Sequence, residues 1–206
     1  MHRRWLTPAL IALIASVLFA PGLVSSATAA GESPGVPTVA AVAAVYPHYE
    51  GGEMSTTPVV KVFAFGKMCM TGKPITGASS RSYSYTPGDS ADYLATPENP
   101  SVYGSSMRFA SVKSARSYVR ASEVFAKNCR GVVMPDTTST TIRFKLGQQR
   151  WGTTTQRTVD GRTSVSHEMT VRRGKVVIFA GVTSSDGPPP VRKAIRFARA
   201  ALQAAG

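Results

Sequence analysis

Ser111–Cys129, SVKSARSYVRASEVFAKNC, is the stretch around which the chain is organised. Val112, Ala115, Val119, Ser122, Phe125, Ala126 and Cys129 recur at three- and four-residue steps, so a helix gathers them on one face. Lys113, Arg116, Arg120 and Lys127 fall on the other face, with Glu123 among them. Glu123 precedes Lys127 by four residues, the favourable order for a helical ion pair. Ser111 offers an N-cap and Gly131 a stop signal. Cys129 then sits on the buried side of the last turn, and Cys69 is the only other cysteine it can reach.

The compartment follows from the N-terminus. Arg3 and Arg4 precede an apolar run over 6–24, and small residues follow, with Ala27-Thr28-Ala29 as an A-x-A cleavage signal. The expected organisation is a signal peptide over 1–30, a flexible N-terminal segment over 31–57 and one domain over 58–206. Cleavage is expected near Ala29-Ala30. An uncleaved anchor helix is the alternative, which Pro8 and Pro21 at its two ends disfavour. No cysteine lies near that site for a bacterial-type lipid anchor, and no later apolar run is long enough to cross a bilayer.

Two cysteines in an exported chain are expected to pair. A Cys69–Cys129 bridge closes a loop of about sixty residues, which in the chain-entropy model contributes roughly 4 kcal/mol. Free thiols are the alternative. Two cysteines and three scattered histidines do not make a zinc site.

Lysine and arginine number 24 against 11 aspartates and glutamates, a net charge of +13. Such a surface favours anionic neighbours, namely cell-wall polymers or acidic lipid headgroups. The basic residues are spread over every expected element, and only two tryptophans accompany them, so no specific nucleic-acid partner is expected.

Residues 31–57 are broken by Pro34, Pro37, Pro47 and Gly51-Gly52, and read as a loose tail with a short helix at 38–45. Val59–Phe65 is apolar with an ambiguous period. Residues 81–85 and 103–109 alternate as strands, and the second feeds directly into the helix. A turn at 135–139 is followed by Ile142, Phe144 and Leu146 alternating with Arg143 and Lys145, a strand signal. Trp151 to Arg157 and Thr163 to Val171 are further strands, joined by Asp160-Gly161, the best hairpin signal in the chain. Arg173-Gly174 is another tight turn, and Val176–Phe179 is a continuous apolar run typical of a central strand. Val191, Ala194, Ile195, Ala198, Ala201 and Leu202 form one face of a final helix, and Arg192, Lys193, Arg196 and Arg199 the other. The expected fold is α+β: an antiparallel sheet with a C-terminal four-stranded meander, covered by two amphipathic helices that bury their stripes against one face of the sheet.

Candidate chemistry is sparse. No Gly-x-Ser-x-Gly elbow and no phosphate-binding glycine loop occurs. His167 shares a strand face with Val165 and Met169, where it would act as a general base or ligand contact, or be a hydrogen-bonded histidine at the edge of the core. Glu168 points the other way. Tyr83, Tyr85, Tyr103 and Trp151 are strand aromatics; on a face left open by the helices they would line a ligand groove, and otherwise they are sheet packing.

A strand ending in Phe109-Ala-Ser, then a helix carrying Ala115, Phe125 and a terminal Cys129, then strands, resembles the PknH-like extracellular sensor domain of actinobacteria. Arg173-Gly-Lys-Val-Val-Ile-Phe-Ala-Gly, followed by a last helix, is similar to that family's penultimate-strand motif. The resemblance covers roughly Cys69 to Ala205. It departs from the family pattern in having Phe125 where a tryptophan is common, and in lacking a second cysteine pair. It implies a domain outside the membrane whose role is ligand sensing, with no binding residue carried over. The expected function is therefore an exported, non-enzymatic sensor-like domain of the bacterial cell envelope. It needs no cofactor, and its partner is a small ligand or an anionic envelope component. The alternatives are a basic envelope protein held to anionic polymers or lipid headgroups by charge, and a hydrolase using His167.

Overall fold

The computed structural model describes residues 34–206 apart from 91–92 and 134–135. The signal peptide and its cleavage site lie outside the described residues. In chain order the elements are α1 (Val39–Ala43), a 3-10 turn (Pro47–Tyr49), β1 (Glu53–Thr56), β2 (Val60–Phe65), β3 (Thr71–Thr86), β4 (Ser101–Arg108) and α2 (Val112–Val133). There follow β5 (Thr137–Thr141), β6 (Gln149–Val159), β7 (Arg162–Arg173), β8 (Val176–Ser185) and α3 (Val191–Ala204). One antiparallel sheet runs in the order β1-β3-β4-β8-β7-β6-β5, with β2 also paired to β3. The fold is α+β and carries the expected C-terminal meander.

β8 is central because its apolar run serves both faces. Val176, Ile178, Ala180 and Val182 join one core cluster with Phe197, Ala198 and Ala201 of α3. Val177 joins the other, with Met107, Phe109, and Ala115 and Val119 of α2. The two amphipathic helices thus take opposite faces of the sheet, rather than one. α3 buries Phe197 with Ala194, Ala198, Ala201 and Leu202, while Val191, expected on that face, is exposed, so the stripe is shifted from the one the spacing predicts. The Arg173 guanidinium donates to the Leu202 carbonyl at 3.0 Å, placing a cation on the exposed end of that helix.

α2 begins as its sequence predicts. The Ser114 amide donates to the Ser111 hydroxyl at 3.0 Å, and Lys127 pairs with Glu123 at 2.7 Å. Cys129 is buried and bonded to Cys69, with their Cα atoms 5.3 Å apart. Two details differ. The helix passes through Gly131 to Val133, and Val112 is exposed at 40%. A glycine inside a helix costs about 1 kcal/mol, which does not by itself end one.

The segment 31–57, expected to be flexible and separate, is part of the core where it is described. Val42, Tyr46 and Tyr49 are fully buried. The Tyr49 hydroxyl donates to the Pro100 carbonyl at 3.1 Å and accepts from the Val102 amide at 3.0 Å. The Tyr85 hydroxyl donates to the Pro37 carbonyl at 2.6 Å. β1 adds to this, pairing Glu53 with Thr86 through Thr56 with Tyr83. The packed domain therefore starts at least at Pro34, not at 58. The short helix expected at 38–45 is α1.

The strand expected at 142–146 lies earlier in the chain. Thr137–Thr141 pairs with β6, Thr137 opposite Arg157 and Thr141 opposite Thr153, where a turn was expected. Threonines suit that ladder because β-branched side chains fit a pleated surface. The Ile142 amide extends the ladder by one bond, to the Gly152 carbonyl, and the strand ends there because the Phe144 carbonyl accepts from the Arg150 side chain, at 2.6 Å. The alternation over 142–146 still places Phe144 and Leu146 against the α3-side core. The Asp160-Gly161 hairpin forms as read, both residues having positive φ (50° and 74°) and Val159 pairing with Arg162.

Candidate functional site

Strand register assigns the candidate site residues to two different faces. Tyr83 pairs with Gly104 and Glu168 with Gly181, and side chains alternate along each strand. Tyr83, Tyr85, His167 and Met169 therefore share the α3 side, while Tyr103, Trp151 and Glu168 share the α2 side.

On the α3 side these four residues are all buried. Tyr83 and Tyr85 are buried among Tyr49 and Phe197. Burial pushes both hydroxyls well above the ordinary tyrosine range. His167 is buried, its Nδ1 2.9 Å from the Thr154 hydroxyl and its Nε2 2.7 Å from the Pro189 carbonyl. Facing a carbonyl, Nε2 carries the proton and donates, so Nδ1 accepts from Thr154. Burial holds the imidazole below its ordinary pKa, against the pull of the Pro189 bond. In this geometry His167 ties β7 to the proline turn before α3, and no ring nitrogen is left to serve as a base.

Tyr103 and Trp151 stand on the α2 side but not together. Between β4 and β6 lie β8 and β7, so their backbones are roughly 14 Å apart at the ordinary strand spacing. Trp151 is held under the helix, its indole nitrogen donating to the Ser122 hydroxyl at 2.8 Å. Ser122 in turn donates to the Val119 carbonyl at 2.8 Å.

Beyond Trp151 the same face turns polar. One cross-strand row reads Ser84, Tyr103, Gly181, Glu168, Thr153, Thr141, and the next Ser101, Thr183, Ser166, Thr155, Ser139. Tyr103, Ser166, Glu168, Thr153 and Thr183 are half-buried, and Ser84, Ser139 and Thr141 are exposed. The ring of Tyr103 occupies the space a Cβ at Gly181 would need, so the missing side chain lets the phenol cross β8 towards β7. There its hydroxyl meets Thr183 and Ser166, which are 2.8 Å from each other. Burial and the nearby Glu168 carboxylate push that hydroxyl up to about 12, opposed by the two hydroxyl partners. A small cleft of about 60 Å³ between α2 and Thr141, Trp151 and Thr153 borders this surface.

The arrangement offers an aromatic face, a carboxylate and a ladder of hydroxyls on a rigid sheet. It suits hydrogen bonding to a polar ligand and holds no base–nucleophile pair among the residues named. Of the candidates read from sequence, Tyr103 alone belongs to it. Glu168, Ser166, Thr153 and Thr183 were missed. Their signal was the polar period-two run Ser164, Ser166, Glu168 opposite the apolar Val165, Met169 and Val171. Among the described residues, no cluster of three or more histidines, cysteines or carboxylates could hold a metal ion.

No family model and no curated protein matches the chain. Among solved structures it is similar to the extracellular domain of PknH from Mycobacterium tuberculosis. That match has 14% identity and a TM-score of 0.52, and covers 82% of this chain and 92% of that one. The chain shares that domain's fold, as the motifs around Phe109, Cys129 and Arg173 implied. A second structure, LpqN of M. tuberculosis, described as involved in cell envelope biogenesis, aligns at 9% identity with a TM-score of 0.33, over 75% of this chain and 87% of that one.

Proposed function

We propose that this chain is an exported, non-catalytic binding domain of the cell envelope, and that the polar α2-side sheet face around Tyr103 and Glu168 holds its ligand. The observation that carries this reading is the Tyr103 phenol, laid across Gly181 into a cluster of Ser166, Thr183 and Glu168. An aromatic face beside acceptors and donors fits a hydroxyl-bearing ligand such as a cell-wall saccharide fragment. The Cys69–Cys129 disulfide supports a location outside the cytoplasm, where such bonds persist. The fold shared with an extracellular domain supports it too. The apolar, A-x-A-ended N-terminus is what would export it.

Calorimetric titration with soluble muropeptides tests the reading. The wild-type chain should bind, and Glu168→Gln should bind at least tenfold more weakly. Binding through net positive charge alone would collapse as salt screens it, whereas hydrogen bonds on the sheet would persist. Absence of binding, or equal binding by the Glu168→Gln chain, rejects the proposal.

A further inference from the structure

The β2–β3 hairpin tip, Gly66–Met70, carries the most exposed large apolar side chain among the described residues, Met68 at 86%, and Met70 at 62% beside it. The two methionines lie two residues apart, so they form one apolar point on the loop rather than scattered exposure. The loop is also built firmly. Met68 and Cys69 both hold positive φ, at 50° and 59°. That conformation is uncommon for non-glycine residues and persists only where the surroundings impose it. Here the Gly66 amide donates to the Met70 carbonyl at 2.9 Å, the Met70 amide to the Lys67 carbonyl at 3.2 Å, and Cys69 is bonded to α2.

Behind the tip lies an open apolar groove of about 540 Å³. Phe65, Met68, Val124 and Phe125 line it, with Arg120 at its edge. Val124 is 51% exposed although it belongs to the helix that covers the sheet. Phe65 and Phe125 meet at 4.9 Å between ring centroids and form the floor.

The surrounding charge has one sign. From Met54 to Gly88 the sequence contains no aspartate or glutamate, while Lys61, Lys67, Lys73 and Arg81 lie within it. On α2 the exposed Lys113, Arg116 and Arg120 face solvent, and the one carboxylate, Glu123, is paired with Lys127. Exposed apolar side chains at a rigid tip, with Lys67 and Lys73 next to it in the hairpin and Arg120 on the groove, are what an anionic bilayer interface accepts: the apolar groups enter the acyl boundary and the cations stay with the headgroups. We infer that the Gly66–Met70 tip and the adjoining α2 groove dock this chain on the surface of an anionic lipid bilayer, with Met68 and Met70 inserted.

This surface is distinct from the Tyr103 face, so the two can fail separately. The test is co-sedimentation of the processed chain, collected from an exporting bacterial host, with phosphatidylglycerol vesicles and with phosphatidylcholine vesicles. Wild type should bind phosphatidylglycerol at least tenfold more tightly than phosphatidylcholine. Met68→Ser with Met70→Ser, which leaves the net charge unchanged, should lose at least tenfold on phosphatidylglycerol. Met68→Trp should show a blue-shifted emission on binding. Both methionines are exposed, so an unchanged circular dichroism spectrum is expected for these chains. Equal binding by wild type and the double serine variant would show attraction by charge alone and overturn the inference. So would the absence of binding at low salt, or a wild-type dimer that the serine pair dissolves, which would make a second copy the occupant.

Discussion

Tyr103 lies over Gly181, its partner across the β4–β8 ladder, in space that no other residue type would leave free. The pair explains why an aromatic residue and a carboxylate two strands apart act on each other: the glycine opens the path. Gly181→Ala should push the ring aside and cost about 1–3 kcal/mol, the usual range for overpacking. The Tyr103 hydroxyl should then fall from about 12 towards the ordinary tyrosine value as it becomes less buried and leaves Glu168. Chemical denaturation reads the first effect and ultraviolet titration of the phenol the second.

His167 should behave as a structural group. His167→Ala removes two hydrogen bonds, one of them fully buried, and leaves the Pro189 carbonyl without that partner, so a loss of about 1–3 kcal/mol in urea denaturation is expected. Ligand binding at the Tyr103 face, on the other side of the sheet, should be unchanged.

Mild acid should destabilise the fold through its buried histidines. Burial holds His167 and His48 below the ordinary histidine value, so both are neutral in the folded chain while the unfolded chain takes up protons from about pH 6.5 downwards. Where the unfolded state binds more protons, stability falls as pH falls. The melting temperature should therefore drop from pH 7 through 6.5 towards the lowered folded values, and level below them. His167→Gln should flatten part of that slope. A melting temperature that rises over the same interval would contradict the assignment.

The disulfide should contribute substantially. Cys69 and Cys129 are 60 residues apart in sequence, and replacing both with alanine should cost roughly 2–4 kcal/mol. Alkylation of the unreduced chain should modify no thiol, read by mass.

The N-terminal segment should prove inseparable from the domain. Tyr49→Phe removes the bonds to Pro100 and Val102, and should cost about 1–2 kcal/mol. A chain beginning at 58 would lack Val42, Tyr46 and Tyr49 from its core and should melt well below the longer one.

Local signals in this chain were legible and long-range ones were not. The Asp160-Gly161 turn, the Ser111 cap and the Glu123–Lys127 pair rest on neighbours within four residues. Alternation along β7 correctly placed His167 and Glu168 on opposite faces. It could not relate β7 to β3 or β4, so Tyr83 and Tyr103 read alike until register separated them. Ile142, Phe144 and Leu146 misled because their side chains do alternate towards the core. Past the Ile142–Gly152 bond the Arg150 side chain takes the Phe144 carbonyl, which the side-chain pattern does not report. Tyr46 and Tyr49 stand among prolines and glycines, and Tyr49 earns its burial from partners about fifty residues away.

Amide chemical-shift mapping of the isotope-labelled chain during titration with a soluble muropeptide tests the central claim most directly. Shifts should concentrate at Tyr103, Thr153, Ser166, Glu168, Gly181 and Thr183, and vanish in the Glu168→Gln chain. Shifts confined to the α3 side around His167 and Tyr83, or none at millimolar ligand, would contradict it.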